Sequence, residues 1–244
     1  MGQPVPLRLV PAAAHTHPHL AAPRRPGHVR VDFHLHTMWS GDATTTPDEL
    51  DEAVRASEVD VLCITDHGTV NGALELARAN KLSCRVIVGQ ELRTWAGEVI
   101  GLFLSERIPY GLKPDETVER IRGQGGLVYI PHPFDPTRHC LRAGVLDELI
   151  AAQKVDALEV FNAKTSLSHL NDRARVYAEE HELPGGAGSD AHEPSAVGAA
   201  YLEMPDFDGP ADFLAAMRSG AVVGHQYDRA REWRPRIVPS TKGI

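Results

Sequence analysis

The chain is short of positive charge: 25 Lys and Arg stand against 33 Asp and Glu, for a formal net charge of −8 at pH 7. Without a basic field to concentrate polyanions, a nucleic-acid-coating role is excluded, and nucleic acid is disfavoured as a partner. Cysteine is also scarce, with Cys63, Cys84 and Cys140 far apart and no Cys-x-x-Cys pair. That excludes a disulfide-stapled scaffold and a thiolate zinc knot, and fits reduced thiols in a cytoplasmic protein. No apolar run approaches the length of a membrane span, and the N-terminal stretch lacks the apolar core of a secretory leader. Met1-Gly2 opens like a myristoylation signal, but Pro6 occupies the position that needs Ser or Thr. A soluble, cytoplasmic protein with no membrane partner is expected. Neither a Gly-x-Gly-x-x-Gly turn nor a Walker loop occurs, so no dinucleotide or NTP-phosphate cradle is indicated.

What is present is a succession of strand-like runs that end in histidine or carboxylate. Residues 1–28, rich in Pro, Ala, His and Arg, have no sustained period and read as a tail. Its alternating His15, His17 and His19 have no carboxylate beside them, and Pro18 interrupts them. The domain is expected over 29–225, with an Arg- and Pro-rich strap or tail over 226–244. Val31 to Asp42 reads as a strand ending in His34 and His36, which share a face, with Phe33 and Leu35 facing the opposite layer. Thr46-Pro47-Asp48-Glu49 has the pattern of a capping box and predicts a helix to about Ser57. Strands over 59–65, 84–91, 98–104, 125–133, 155–163, 185–192 and 199–204 alternate with helices over 70–80, 114–123, 144–153, 168–181 and 210–219, and AVVG ends the series. Strands that alternate with helices and carry polar residues at their C-terminal ends predict a single-domain α/β protein, a TIM-like barrel with its site at that rim. An open doubly wound sheet, the alternative, would gather its ligands at one crevice.

The rim candidates are His34, His36, Asp42, His67, Glu91, Glu98, His132, Asp190 and His192. Imidazole and carboxylate donors without thiolate describe a site for Zn²⁺, Mn²⁺ or Fe²⁺. One ion takes about four such donors, so this set suggests two or three divalent ions. Multinuclear centres of that kind open phosphate esters.

These motifs, HLH with Asp42, TDHGT, GQE, the Pro-His-Pro at 131–133 and GSDAH, together resemble the ordered signatures of the PHP (polymerase and histidinol phosphatase) superfamily. The resemblance implies a distorted (β/α)7 barrel around a trinuclear cluster. By position, His34, His36, Glu91 and Asp190 would hold one ion. Glu91 would bridge to a second, shared with His132, and Asp42, His67 and His192 would hold the third. Glu98 stands where many members have histidine, and as a carboxylate it favours a harder ion such as Mn²⁺. Asp42 replaces the histidine of some members.

The expected activity is hydrolysis of a phosphate ester of a small phosphorylated metabolite or nucleotide, by a metal-bound hydroxide at a di- or trinuclear centre. Asp190 and His192 are the catalytic candidates, with Asp66 either orienting His67 or capping its strand. Arg138, Arg93 and Lys164 are candidates for substrate oxygens. Two other readings stay open: a nuclease-like phosphodiesterase acting on nucleic-acid ends, and a metal-stabilised interaction module without turnover.

Overall fold

The computed structural model describes residues 23–165 and 167–226; the expectations for His15, His17, His19 and the strap beyond 226 lie outside them. The chain opens with β1 (His28–Leu35), α1 (Pro47–Ser57), β2 (Val61–Ile64), α2 (Asn71–Ala79), β3 (Arg85–Thr94) and β4 (Gly97–Leu102). It continues with α3 (Pro114–Gly123), β5 (Leu127–Ile130), α4 (Ala143–Ala151), β6 (Ala157–Asn162), α5 (Ser168–Glu180) and β7 (Gly185–Gly188). After a short 3₁₀ turn come β8 (Ala200–Pro205), α6 (Gly209–Met217) and β9 (Ala221–Gly224). Among the described residues no helix is long and apolar enough to cross a membrane.

Local chemistry sets several boundaries. Thr46 Oγ1 accepts from the Glu49 backbone N–H at 3.4 Å, and Glu49 Oε2 accepts from the Thr46 backbone N–H at 3.0 Å. Two orphan donors at the start of α1 are thereby satisfied.

The strands form one sheet in the order β7-β6-β5-β4-β3-β2-β1-β8-β9. A parallel bridge between Leu35 and Ala191, with His36 N–H donating to Ala191 O at 2.8 Å and Asp190 N–H to His34 O at 2.7 Å, joins the end of β1 to the turn after β7. The first seven strands thus close into a distorted barrel, while β8 pairs antiparallel with the opening half of β1 and carries β9 outside the ring. Three departures from the expected layout stand out. β4 runs antiparallel to β3 and β5, because the link Trp95-Ala96 is far too short for a crossover. This reversal puts Glu98, at the start of β4, at the rim where the other strands end. β8 and β9, read as further members of the parallel series, are antiparallel. Phe33 does not share a layer with Leu35, because the β1–β2 register shifts between Asp32 and Leu35. Phe33 instead packs in the barrel interior against Tyr129 and Phe213, at ring distances of 5.5 and 5.0 Å, while Leu35 packs with Leu50, Val54 and Ala73 of the outer helices.

The ring closes tightly on the glycine-rich β7. A Cβ at Gly188 would fall well inside van der Waals contact with His34 Cβ and Glu159 Oε1. Gly188→Ala is therefore expected to cost about 1–3 kcal/mol as an overpacked site. In calorimetry this appears as a melting temperature lower by roughly 2–12 °C; an unchanged transition would show that the β1–β7 seam has slack.

Candidate metal centre

The barrel's mouth collects donors from almost every strand of the ring. His34 is the penultimate residue of β1 and His36 lies directly after its end, and their Nε2 atoms stand 3.1 Å apart. Glu91, in β3, has Oε2 at 3.3 Å from each of those nitrogens and 3.4 Å from His67 Nδ1, while its Oε1 lies 3.1 Å from His132 Nε2. Glu98 Oε2 is 3.9 Å from the same His132 nitrogen. On the far side, Asp190 Oδ1 lies 3.9, 3.6 and 3.4 Å from His34, His36 and His192 respectively. Asp42 Oδ2 closes the circle at 3.4 Å from His67 and 3.5 Å from His192. All nine expected donors are thus in one pocket.

Three groups within it have donor atoms close enough to share an ion: His34, Glu91 and His132; His34, His36 and Asp190; and His36, Asp42, His67 and His192. The third differs from the set inferred by position in including His36, whose ring stacks on that of His67 at 4.5 Å. The first two groups form a buried floor. The third opens outward, the Asp42 side chain being 50% exposed. Neighbouring donors of a small tetrahedral ion bound at ~2.0–2.1 Å stand roughly 3.3 Å apart, so the donor set and its spacing fit divalent cations.

The electrostatics point the same way. Burial alone would raise Glu91, but His34, His67 and His132 hold its carboxyl well below the usual range. Burial would likewise raise Asp190, yet Arg138, Lys164, His34 and His192 keep it strongly acidic. His34 is driven down by burial but lifted well above an ordinary imidazole by Glu91, Glu159 and Asp190. His36 goes the other way, lowered by burial and by His192 and His67. The floor's carboxylates thus favour positive charge at its centre, from a proton or a divalent cation.

Other residues hold the donors in place. Asp66 is engaged by Thr37: its Oδ1 and Oδ2 accept from the Thr37 N–H and Oγ1–H, each at 2.6 Å. Burial raises its carboxyl to about 7. Ser40 Oγ accepts from His67 N–H at 3.0 Å and touches His36 Nδ1 at 3.2 Å. The substrate candidates also reach the pocket. Arg138 pairs with Asp190 Oδ2 at 2.8 Å, Lys164 Nζ lies 2.7 Å from His192 Nδ1, and Arg93 donates to Glu98 Oε1 at 3.3 Å. Asp190 does not continue an extended strand toward His192, its φ being 50°, and the left-handed turn brings the two side chains together.

Sequence reasoning missed Glu159 and Asp32 as parts of the site. Glu159, fully buried in the middle of β6, contacts His34 Nδ1 at 3.1 Å. Asp32 accepts from the Ser189 and Gly198 N–H groups at 2.9 and 3.1 Å and so anchors the GSDAH turn. A carboxylate inside the apolar run ALEVFN was the available signal for Glu159; for Asp32 there was none beyond its nearness to His34.

Comparison with known proteins agrees with this geometry. A family model described as the PHP domain matches residues 32–161, and one described as PHP-associated matches 168–222. Among relatives, the uncharacterized protein MJ0417 of Methanocaldococcus jannaschii is 35% identical over 199 residues, covering 78% of this chain and 79% of its own. MJ1587 of the same organism is 37% identical over 146 residues, covering 55% and 82%. In fold, the chain is similar to a two-domain protein containing a predicted PHP-like metal-dependent phosphoesterase from Bacteroides vulgatus, with a TM-score of 0.65, 20% identity, and coverage of 83% of this chain and 67% of that one. It is also similar to Endonuclease Q in complex with a 27-mer duplex substrate carrying an abasic lesion at the active site, with a TM-score of 0.61, 18% identity and coverage of 79% and 57%. The PHP domain model spans more than half of the chain, including the candidate donors from His34 to His132, and on that basis the chain belongs to the PHP domain family.

Proposed function

We propose that this protein is a metal-dependent phosphoesterase that hydrolyses a small phosphorylated metabolite or nucleotide at a di- or trinuclear centre. The observation that carries this reading is the set of contacts around Glu91, one buried carboxylate facing imidazoles from β1 and from the loops after β2 and β5. Bound divalent ions would supply an activated water and neutralise the phosphate oxygens. Their ligands would be His34, His36, Glu91, His132 and Asp190 on the floor and Asp42, His67 and His192 at the mouth, with Glu98 beside His132 as a further oxygen donor.

The chain's own residues supply the rest. Arg138 and Lys164 stand on the Asp190 side of the pocket and Arg93 on the Glu98 side, so an anionic group entering the mouth meets cations on two flanks. Asp190 and His192 are the catalytic pair of this proposal: Asp190 Oδ1 faces the imidazoles while Oδ2 is held by Arg138 and by Asn162 at 3.2 Å. Asp66 is left out of that pair because both of its oxygens are engaged by Thr37.

A second reading, nuclease-like hydrolysis of nucleic-acid ends, draws on where the cations sit. Although the chain is acidic overall, Arg93, Arg107, Lys113, Arg138, Arg142 and Lys164 all contact rim segments. Trp95 and Tyr110, the large aromatics exposed among the described residues, belong to the same region. Bases can stack on such rings and phosphates pair with such cations. The resemblance in fold to Endonuclease Q supports the same reading.

Rates on a nitrophenyl monoester, its bis-ester, nucleotides and short oligonucleotides would separate the readings. His34→Ala and Asp190→Ala, if still folded, are expected to lose at least ~100-fold in kcat/KM, the upper end of what outer partners of a metal cost. Activity unchanged by both would refute the catalytic assignment. In the second reading, Trp95→Ala raises KM for an oligonucleotide by ~10-fold, since stacking contributes about 1–3 kcal/mol per base, and leaves the nitrophenyl monoester untouched. Chelation is expected to lower the melting temperature by roughly 5–11 °C, given about 2.7 kcal/mol from an ion at a hundredfold excess over its Kd. A melting curve indifferent to chelator and to added Zn²⁺ or Mn²⁺ would contradict the metal centre.

A further inference from the structure

The Glu159 carboxylate joins the ends of β1, β5 and β6, yet among the described residues it contributes no donor atom to the candidate ion sites. Its Oε1 faces His34 Nδ1 at 3.1 Å, on the opposite side of the ring from the Nε2 that looks into the pocket. Its Oε2 accepts from the His132 backbone N–H at 2.7 Å and from Asn162 Nδ2 at 2.9 Å. The same Asn162 amide donates to Asp190 Oδ2 at 3.2 Å. Both His132 and Asp190 adopt positive φ, 29° and 50°, a conformation that a side-chain-bearing residue keeps only when its surroundings hold it. Space for the carboxylate exists because position 188 has no Cβ.

On this geometry, and resting on the metal-centre reading above, we propose that Glu159 is the positioning residue of the buried floor. It fixes His34 as the Nδ1–H tautomer, which presents the Nε2 lone pair to the pocket, and holds His132 at its strained turn. Through Asn162 it also sets Asp190. One carboxylate thereby ties the two floor groups into a unit, while its own contacts are with His34, His132 and Asn162 rather than with Asp42, His67 or His192 of the mouth. Carboxylates behind metal-bound imidazoles orient the ring and raise its basicity, and losing one typically costs ~10–100-fold in metal affinity.

The test is a Co²⁺ titration of the full-length chain, followed by calorimetry and by the visible absorption of bound Co²⁺, on wild type, Glu159→Gln and His192→Ala. Glu159→Gln keeps the volume but places an NH₂ where one of the two acceptor oxygens stood. It is expected to weaken the floor steps ~10–100-fold and shift the Co²⁺ absorption. The step that His192→Ala removes should keep its affinity. Matching titrations for wild type and Glu159→Gln would overturn the proposal, as would a uniform loss over all steps that tracks a lower melting temperature of the metal-free protein. Wild-type protein that takes up no Co²⁺ would instead sink the metal centre itself. Should Glu159→Gln fail to fold, ¹⁵N NMR of the Zn²⁺-loaded wild-type chain decides: His34 must carry its proton on Nδ1, and a proton on Nε2 would overturn the proposal.

Discussion

The contact on which the rest depends is that between the Glu91 carboxylate and its four imidazoles. An ionised carboxylate buried this deeply is costly unless opposing charge or donors surround it. Here they come from His34 in β1, His36 just beyond it, His67 after β2 and His132 after β5. No stretch of local sequence can assemble that set. Only a closed ring brings the end of β1 beside both β3 and the turn after β7, so the barrel and the site require one another. The core beneath serves this closure: Phe33, Tyr129 and Phe213 fill the interior, while Leu35 and Ile64 fasten the same strands to the outer helices.

Closure is also where backbone cost concentrates. β7 reads Gly-Gly-Ala-Gly, and side chains at Gly186 and Gly188 would run into Tyr129, Phe33, His34 and Glu159. Two candidate ligands occupy left-handed backbone, and each is held by hydrogen bonds from its neighbours. Sequence and packing here sacrifice strand propensity and relaxed dihedrals for the convergence of side chains, as expected where a site rather than the fold sets local choices.

Much of this was legible in the amino-acid sequence because it was periodic or paired. The capping box at Thr46, the helix at 114–123 and the run of strands ending in His or carboxylate rest on local rules that the structure follows closely. What was not legible was non-local. The reversal of β4 follows from the short Trp95-Ala96 link, which in isolation reads as easily as a strand interruption. The bulge that sends Phe33 inward leaves no mark in the sequence. Asp66 beside His67 suggested a partnership along the chain, but Thr37, 29 residues away in sequence, offers it a backbone N–H and a hydroxyl together. Glu159 was hidden for the same reason, since its significance lies in the strand ends it joins.

Net charge is the clearest case of a true global quantity that misleads locally. A total of −8 argues against a polyanionic partner if charge is spread evenly, but it is not. The pocket's own carboxylates account for part of the surplus, and they would be neutralised by the cations they favour. Around them the rim carries arginine and lysine, and Arg93 is already committed to Glu98. That pairing sets a guanidinium against the Glu98 carboxylate, so this acid adds less negative field to the mouth than an unpaired one would. The field at the mouth is therefore set within about one Debye length, roughly 8–10 Å, of these side chains rather than by the sum over the chain.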